Sequence, residues 1–252
     1  MGKVYVIVSG KGGTGKTTST INLGAALVKF KDDVTIVDAN LTTPNLSLYL
    51  GAPIVPVSLA HVLQKKANIE DAIYEHHSGM KVVPSSLSLK DLKKINYGLL
   101  ADTLKSLRKL SNHVILDSAA GLGDEAIAPM SVADEVIVVV NPNILSVTDA
   151  LKTIKIAEEL NKKIRGVIIT RVTYDKSEMS IQSIQEMLEV PILGVIPEDK
   201  AVHQSLSKRC PVIHSHPRSQ ASRAYMDVAA KIVGKKRKKG FFEKFLRSLG
   251  LR

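Results

Sequence analysis

A chain of 252 residues with 44% hydrophobic content can bury the core of one α/β domain or of two small ones. Its single cysteine, Cys210, leaves no intramolecular disulfide, and no run of eighteen apolar residues, secretory leader or myristoylation signal is read in it. The net charge of +11 gathers at one end, where residues 235–252 hold eight basic residues against one acid, Glu243.

Taken in order, the chain opens on Val4-Tyr5-Val6-Ile7-Val8, an apolar β-branched segment that predicts a buried parallel strand. Gly10-Lys11-Gly12-Gly13-Thr14-Gly15-Lys16-Thr17 follows with the pattern G-x-x-x-x-G-K-[ST]. Ile21, Leu23, Ala25, Ala26, Leu27 and Phe30 then supply the apolar face of a helix. Strand, glycine loop and helix start are the context in which this pattern wraps phosphates with backbone N–H groups. Lys16 is then expected on the β- and γ-phosphates and Thr17 on Mg²⁺, with Thr18 near the α-phosphate.

A second strand, Val34 to Val37, ends at Asp38 and gives way to the polar loop 39–46, which holds Asn40 and Asn45. Short helices are expected in 58–73 with Ser58 as N-cap, then a strand over Met80–Pro84. Leu99, Leu100, Leu104, Leu107 and Leu110 predict a core-facing helix. His113-Val114-Ile115-Leu116-Asp117 is a strand ending in an acid, the arrangement in which a carboxylate holds Mg²⁺ or its water. Beyond lie a loop with Gly121, strands over 134–140, 167–171 and 192–196, and helices over 148–160 and 218–233. This alternation predicts a mostly parallel sheet with helices on both faces. The adjacent His76 and His77 are expected to point apart, and His203, His214 and His216 to lie in a loop-rich stretch, with no metal site among them.

Lys11, directly after the first glycine, gives K-G-G-T-G-K-T-T, which resembles the deviant Walker A loop of the MinD/ParA family of ATPases. The resemblance covers most of the chain. It implies that Gly10, Gly12, Gly13, Thr14 and Gly15 surround the phosphates and that Lys11 reaches across an ATP-bound homodimer. It implies that Asp38 and Asp117 organise Mg²⁺ and water, and that Gly121 offers its N–H to the γ-phosphate. Thr170, Arg171, Pro197, Glu198 and Asp199 are the implied neighbours of the adenine. Asn40 departs from the family, which usually carries an aspartate there for the attacking water; an amide cannot serve as a carboxylate base, so slow hydrolysis is expected.

Past residue 233 the globular pattern ends, and the chain divides into an expected ATPase domain, 1–233, and a tail, 234–252. Phe241, Phe242, Phe245, Leu246 and Leu249 fall on one face of a helix, after a basic connector. A helix of ~13 residues is marginal alone in water, whereas an anionic membrane surface would order it. The tail resembles the membrane-targeting end of MinD-type ATPases. A cytoplasmic protein reversibly bound at the inner membrane face is implied, with a regulatory or cargo protein partner. A DNA-segregating relative and an ATP-gated adaptor with negligible turnover are the alternatives; the aromatic tail argues against nucleic acid.

Overall fold

In the computed structural model, which describes residues 1–52, 55–92 and 95–235, strands and helices alternate as the apolar pattern predicts. The order is β1 (Lys3–Val8), α1 (Lys16–Lys29), β2 (Val34–Asp38), α2 (Leu46–Leu50), α3 (Leu59–Leu63), β3 (Tyr74–Glu75) and β4 (Lys81–Val83). Then come α4 (Leu100–Leu110), β5 (His113–Asp117), α5 (Asp124–Val132), β6 (Glu135–Val140) and α6 (Ile144–Glu159). The last elements are β7 (Lys163–Val172), α7 (Ile181–Leu188), β8 (Ile192–Pro197), α8 (Lys200–Ser207), α9 (Val212–Ser215) and α10 (Gln220–Ile232).

The strands form one sheet in the order β3-β4-β2-β5-β1-β6-β7-β8, in which only β3 runs antiparallel to its neighbour. Alternate side chains of a strand enter two separate cores. Val4, Val6 and Val8 pack with residues of α3, α4, α6 and α7; Tyr5 and Ile7 pack with α1, α9 and α10. Both faces are therefore covered: β2 and β6 are buried throughout, and β1 and β5 at all but their first residue, as parallel sheets require. The chain runs from β1 to one side and later returns to its other side through β6, so the loop after β1 lies at the switch of strand order. Ligands of open α/β sheets gather there, outside the carboxyl ends of the strands.

Several elements differ from expectation. Helix α6 begins at Ile144, capped by Asn143, whose Oδ1 accepts from Ser146 N at 3.0 Å. Helices α5, α7, α8 and α9 carried short or mixed apolar patterns and were not predicted. His76 and His77 do not point apart: they occupy a turn after β3, and their rings lie 4.0 Å apart between centroids. His203 and His214 lie in α8 and α9 rather than in loops. Among the described residues no group of three His, Cys, Asp or Glu side chains could hold a metal ion, and no helix is long and apolar enough to cross a membrane.

Candidate functional site

The glycine loop leaves β1 at Ser9 and enters α1 at Lys16. Gly15 is the N-cap at φ +95°, in the left-handed region that a side chain resists. Gly10 has a different reason: a Cβ there would stand 2.4 Å from the Cβ of Asp149 on α6. Gly12 and Gly13 are exposed, and a Cβ on either would meet nothing within 4 Å. Their backbone therefore borders open space beside the first turn of α1, where N–H groups and the helix dipole favour an anion.

Beneath the loop the polar side chains converge. Lys16 is buried, and its Nζ donates to Ser9 Oγ at 2.9 Å, while Ser9 Oγ donates to the Lys11 carbonyl at 2.7 Å. Thr17 Oγ1 donates to Asp117 Oδ2 at 2.6 Å, and the Thr20 hydroxyl lies 3.2 Å from Asp117 Oδ1. Asp38 and Asp117 are in-register partners on β2 and β5, so the sheet holds two fully buried carboxylates side by side. Burial pushes Asp117 up to about 6, opposed by the Thr17 hydroxyl, the Lys16 charge and Thr20. Asp38 is driven well above the usual carboxylate range by burial and then by Asp117. Burial also lowers Lys16, against the charge of Asp117. Two carboxylates and a hydroxyl are a hard oxygen donor set of the kind Mg²⁺ takes, and a cation there would relieve their repulsion. The donor chemistry fits the metal.

The loop after β2 hangs from Asp38, which accepts from Asn40 N at 3.3 Å and Leu46 N at 3.1 Å. Asn40 spends its amide on the loop itself. Its Nδ2 donates to the Thr43 carbonyl at 2.7 Å, and its Oδ1 accepts from Thr43 N and Thr43 Oγ1 at 3.2 and 3.1 Å. The loop after β5 also differs from expectation, because the Gly121 N–H is already donated to the Ser9 carbonyl at 3.1 Å. That N–H would have to leave Ser9 before it could meet a phosphate.

A second cavity adjoins the glycine loop. Thr170, Arg171, Pro197, Glu198 and Asp199, distant in sequence, line it together with Gly15 and Thr18. Thr170 Oγ1 donates to the Thr14 carbonyl at 2.6 Å, tying the end of β7 to the loop, while Thr14 Oγ1 is buried without a partner. Asp199 is engaged structurally: its oxygens accept from Ala201 N and Ala221 N at 2.9 and 3.0 Å, joining the starts of α8 and α10. The cavity also holds His203, whose Nε2 is 3.3 Å from Glu198 Oε1, and Tyr225, whose hydroxyl lies 3.1 Å from Ser19 Oγ. Sequence reasoning missed Ser9, Thr20, His203 and Tyr225. Only Thr20 left a signal, standing three residues after Thr17 on the same helical face.

Lys11 is half-buried, and its ammonium has no hydrogen bond or ion pair among the described residues. Phe241, Phe242, Phe245, Leu246 and Leu249 lie outside the described residues.

Residues 5–212 match the family described as the CobQ/CobB/MinD/ParA nucleotide binding domain. An ATP-binding protein of Methanocaldococcus jannaschii is 41% identical over 99% of this chain and 97% of its own length. The septum site-determining protein MinD of Neisseria meningitidis is 32% identical over 96% of this chain and 95% of its own. Among solved structures, the septum site-determining protein MinD of Pyrococcus horikoshii, complexed with Mg-ADP, superimposes with a TM-score of 0.88 at 33% identity, covering 92% of this chain and 96% of that one.

Proposed function

The chain belongs to the CobQ/CobB/MinD/ParA nucleotide-binding family, and from that premise we propose that it is a MinD-type ATPase switch. It binds ATP with Mg²⁺, dimerises around the nucleotides, and docks on an anionic membrane surface through residues 234–252 to position a division site or another cell structure. The observation that carries the nucleotide reading is the convergence of Lys16, Thr17 and the paired acids Asp38 and Asp117 under the glycine loop. When bound, Mg²⁺ would neutralise phosphate charge; Thr17, Asp38 and Asp117 are the residues to hold it.

In this reading Gly10, Gly12, Gly13, Thr14 and Gly15 direct N–H groups at phosphate oxygens, and Lys16 supplies positive charge facing the β- and γ-phosphates. Thr18 meets the α-phosphate, and Thr170, Arg171, Pro197 and Glu198 border the base. Lys11, without a side-chain partner among the described residues, serves the partner subunit's nucleotide. Residues 1–233 form the ATPase body and the remainder the membrane tail. One tail binds weakly, and two on a dimer raise avidity by about 10²–10⁴, so ATP controls membrane residence through dimerisation. A regulatory or cargo protein would act on this cycle.

One observation favours a second reading, an adaptor with very slow turnover: the Asn40 amide is committed to Thr43 through its oxygen and one Nδ2 hydrogen. Co-sedimentation with anionic liposomes, read beside phosphate release, tests both. Binding strong with a slowly hydrolysed ATP analogue, weak with ADP and lost on truncation after Val233 supports the switch. Equal binding in ADP and ATP, or binding that survives truncation, refutes it.

A further inference from the structure

The loop after β2 meets the helix that follows β5 at Glu125, in the first turn of α5. The Thr42 hydroxyl donates to its Oε1. The Tyr97 side chain, in the turn leading into α4, faces the same carboxylate; burial first, then the Glu125 charge, push its hydroxyl up to about 12. Three segments distant in sequence thus meet on one carboxylate.

The placement of Thr42 gives the contact its reach. Three hydrogen bonds between the Asn40 side chain and Thr43, one donated by Asn40 and two accepted by it, close residues 40–43 into one turn. That turn has two outside anchors: Asp38 behind it, through Asn40 N and Leu46 N, and Glu125 in front, through Thr42. Helix α5 in turn begins directly after the loop that holds Gly121, whose N–H is bound to the Ser9 carbonyl at the root of the glycine loop. A shift of α5 therefore reaches both the Gly121 loop and, through Glu125, the turn carrying Asn40.

We infer that Glu125 is a positioning residue that ties the loops after β2 and β5 together, so that the turn carrying Asn40 and the loop carrying Gly121 shift as one unit during turnover. The inference rests on the ATPase reading for its effect on turnover, and the link itself has a readout of its own. An anionic acceptor suits the task, because hydrogen bonds to a charged group are stronger than neutral ones. Its place at a helix N-terminus stabilises the charge.

The test uses the full chain and two readouts. Hydrogen exchange of loop 39–45 in the nucleotide-free protein reads the link; steady-state ATP hydrolysis reads its consequence. Glu125→Ala and Thr42→Val should each speed exchange in the loop and lower kcat about threefold, a modest factor because the bond is solvent-exposed, with KM changing less than about twofold. Glu125→Gln keeps an accepting oxygen and should retain most of kcat. The double variant Thr42→Val/Glu125→Ala should be no slower than the slower single, because both remove one contact. Exchange unchanged in both single variants, or losses that add in the double, would overturn the inference. A wild-type protein without hydrolysis would overturn the ATPase reading, and exchange alone would then judge the link.

Discussion

Replacing Asp117 by Asn removes one of two buried carboxylates that strand register forces together. In the folded chain Asp117 titrates near 6, against an ordinary value of 3.8, chiefly because it is buried. At about 1.4 kcal/mol per unit, holding it ionised costs the nucleotide-free fold about 3 kcal/mol. The sign follows from linkage. A carboxyl whose folded pKa is raised contributes stability that is complete below its unfolded value and is lost as pH rises through the folded one. Wild type should therefore lose this contribution between about pH 4 and 7, while the Asn variant does not. Asn keeps one oxygen for Thr17 or Thr20 but not both, which returns about 1 kcal/mol of the gain. Net stabilisation of about 2 kcal/mol at pH 8 is expected, shrinking to zero or reversing near pH 4. Urea unfolding without nucleotide or Mg²⁺, at both ends of this range, measures it. The same variant should lose Mg·ATP binding, a trade of function for stability. If it is less stable than wild type at pH 8, or differs by the same amount at every pH, the account of the paired acids is wrong.

Other substitutions separate the remaining parts. Lys16→Ala should abolish ATP binding in titration calorimetry, whereas Lys11→Ala should bind ATP within about threefold of wild type yet stay monomeric by light scattering. Asn40→Ala should slow phosphate release by unlocking residues 40–43. Asn40→Asp sets a carboxylate against the Thr43 carbonyl where Nδ2 now donates, so it should loosen the loop rather than simply restore a fast enzyme; proteolysis of the loop alongside turnover would tell. Buried Glu135 faces Lys3 Nζ at 2.9 Å, Lys163 Nζ at 3.1 Å and Arg165 Nε at 3.7 Å. Burial raises its pKa, but the ion pairs with Lys3 and Lys163 outweigh this and hold it low, so its contribution is lost as pH falls through the carboxylate range. Glu135→Gln should cost about 2 kcal/mol in urea unfolding at pH 7, less than a fully buried pair because both lysines reach water.

The loop, the two strand-end acids and the parallel α/β architecture were legible because each is local. A glycine loop between a strand and a helix, or an acid closing a β-branched run, is written within ten residues. Long strands were found well because burial on both faces makes them continuously apolar. Helices α7, α8 and α9 were missed because they are short and only partly buried, so their patterns are weak. The turn holding His76 and His77 escaped for a related reason: neither helix nor strand periodicity governs a turn.

What the chain alone determined was the identity of its chemical groups: two lysines in one loop, Thr17, Asp38, Asp117 and an amide at position 40. Tertiary structure decided their partners. Parallel pairing of β2 with β5 sets Asp38 against Asp117 across 79 residues of chain; burial raises both carboxyls, and the charge of Asp117 raises Asp38 further. The committed state of the Asn40 amide, the capture of the Gly121 N–H by Ser9 and the meeting of Thr42 and Tyr97 on Glu125 depend likewise on loop paths that no residue pattern encodes. Hydrogen bonds and Coulomb forces act over a few ångströms, and the distance between residues far apart in sequence is fixed only when the sheet closes.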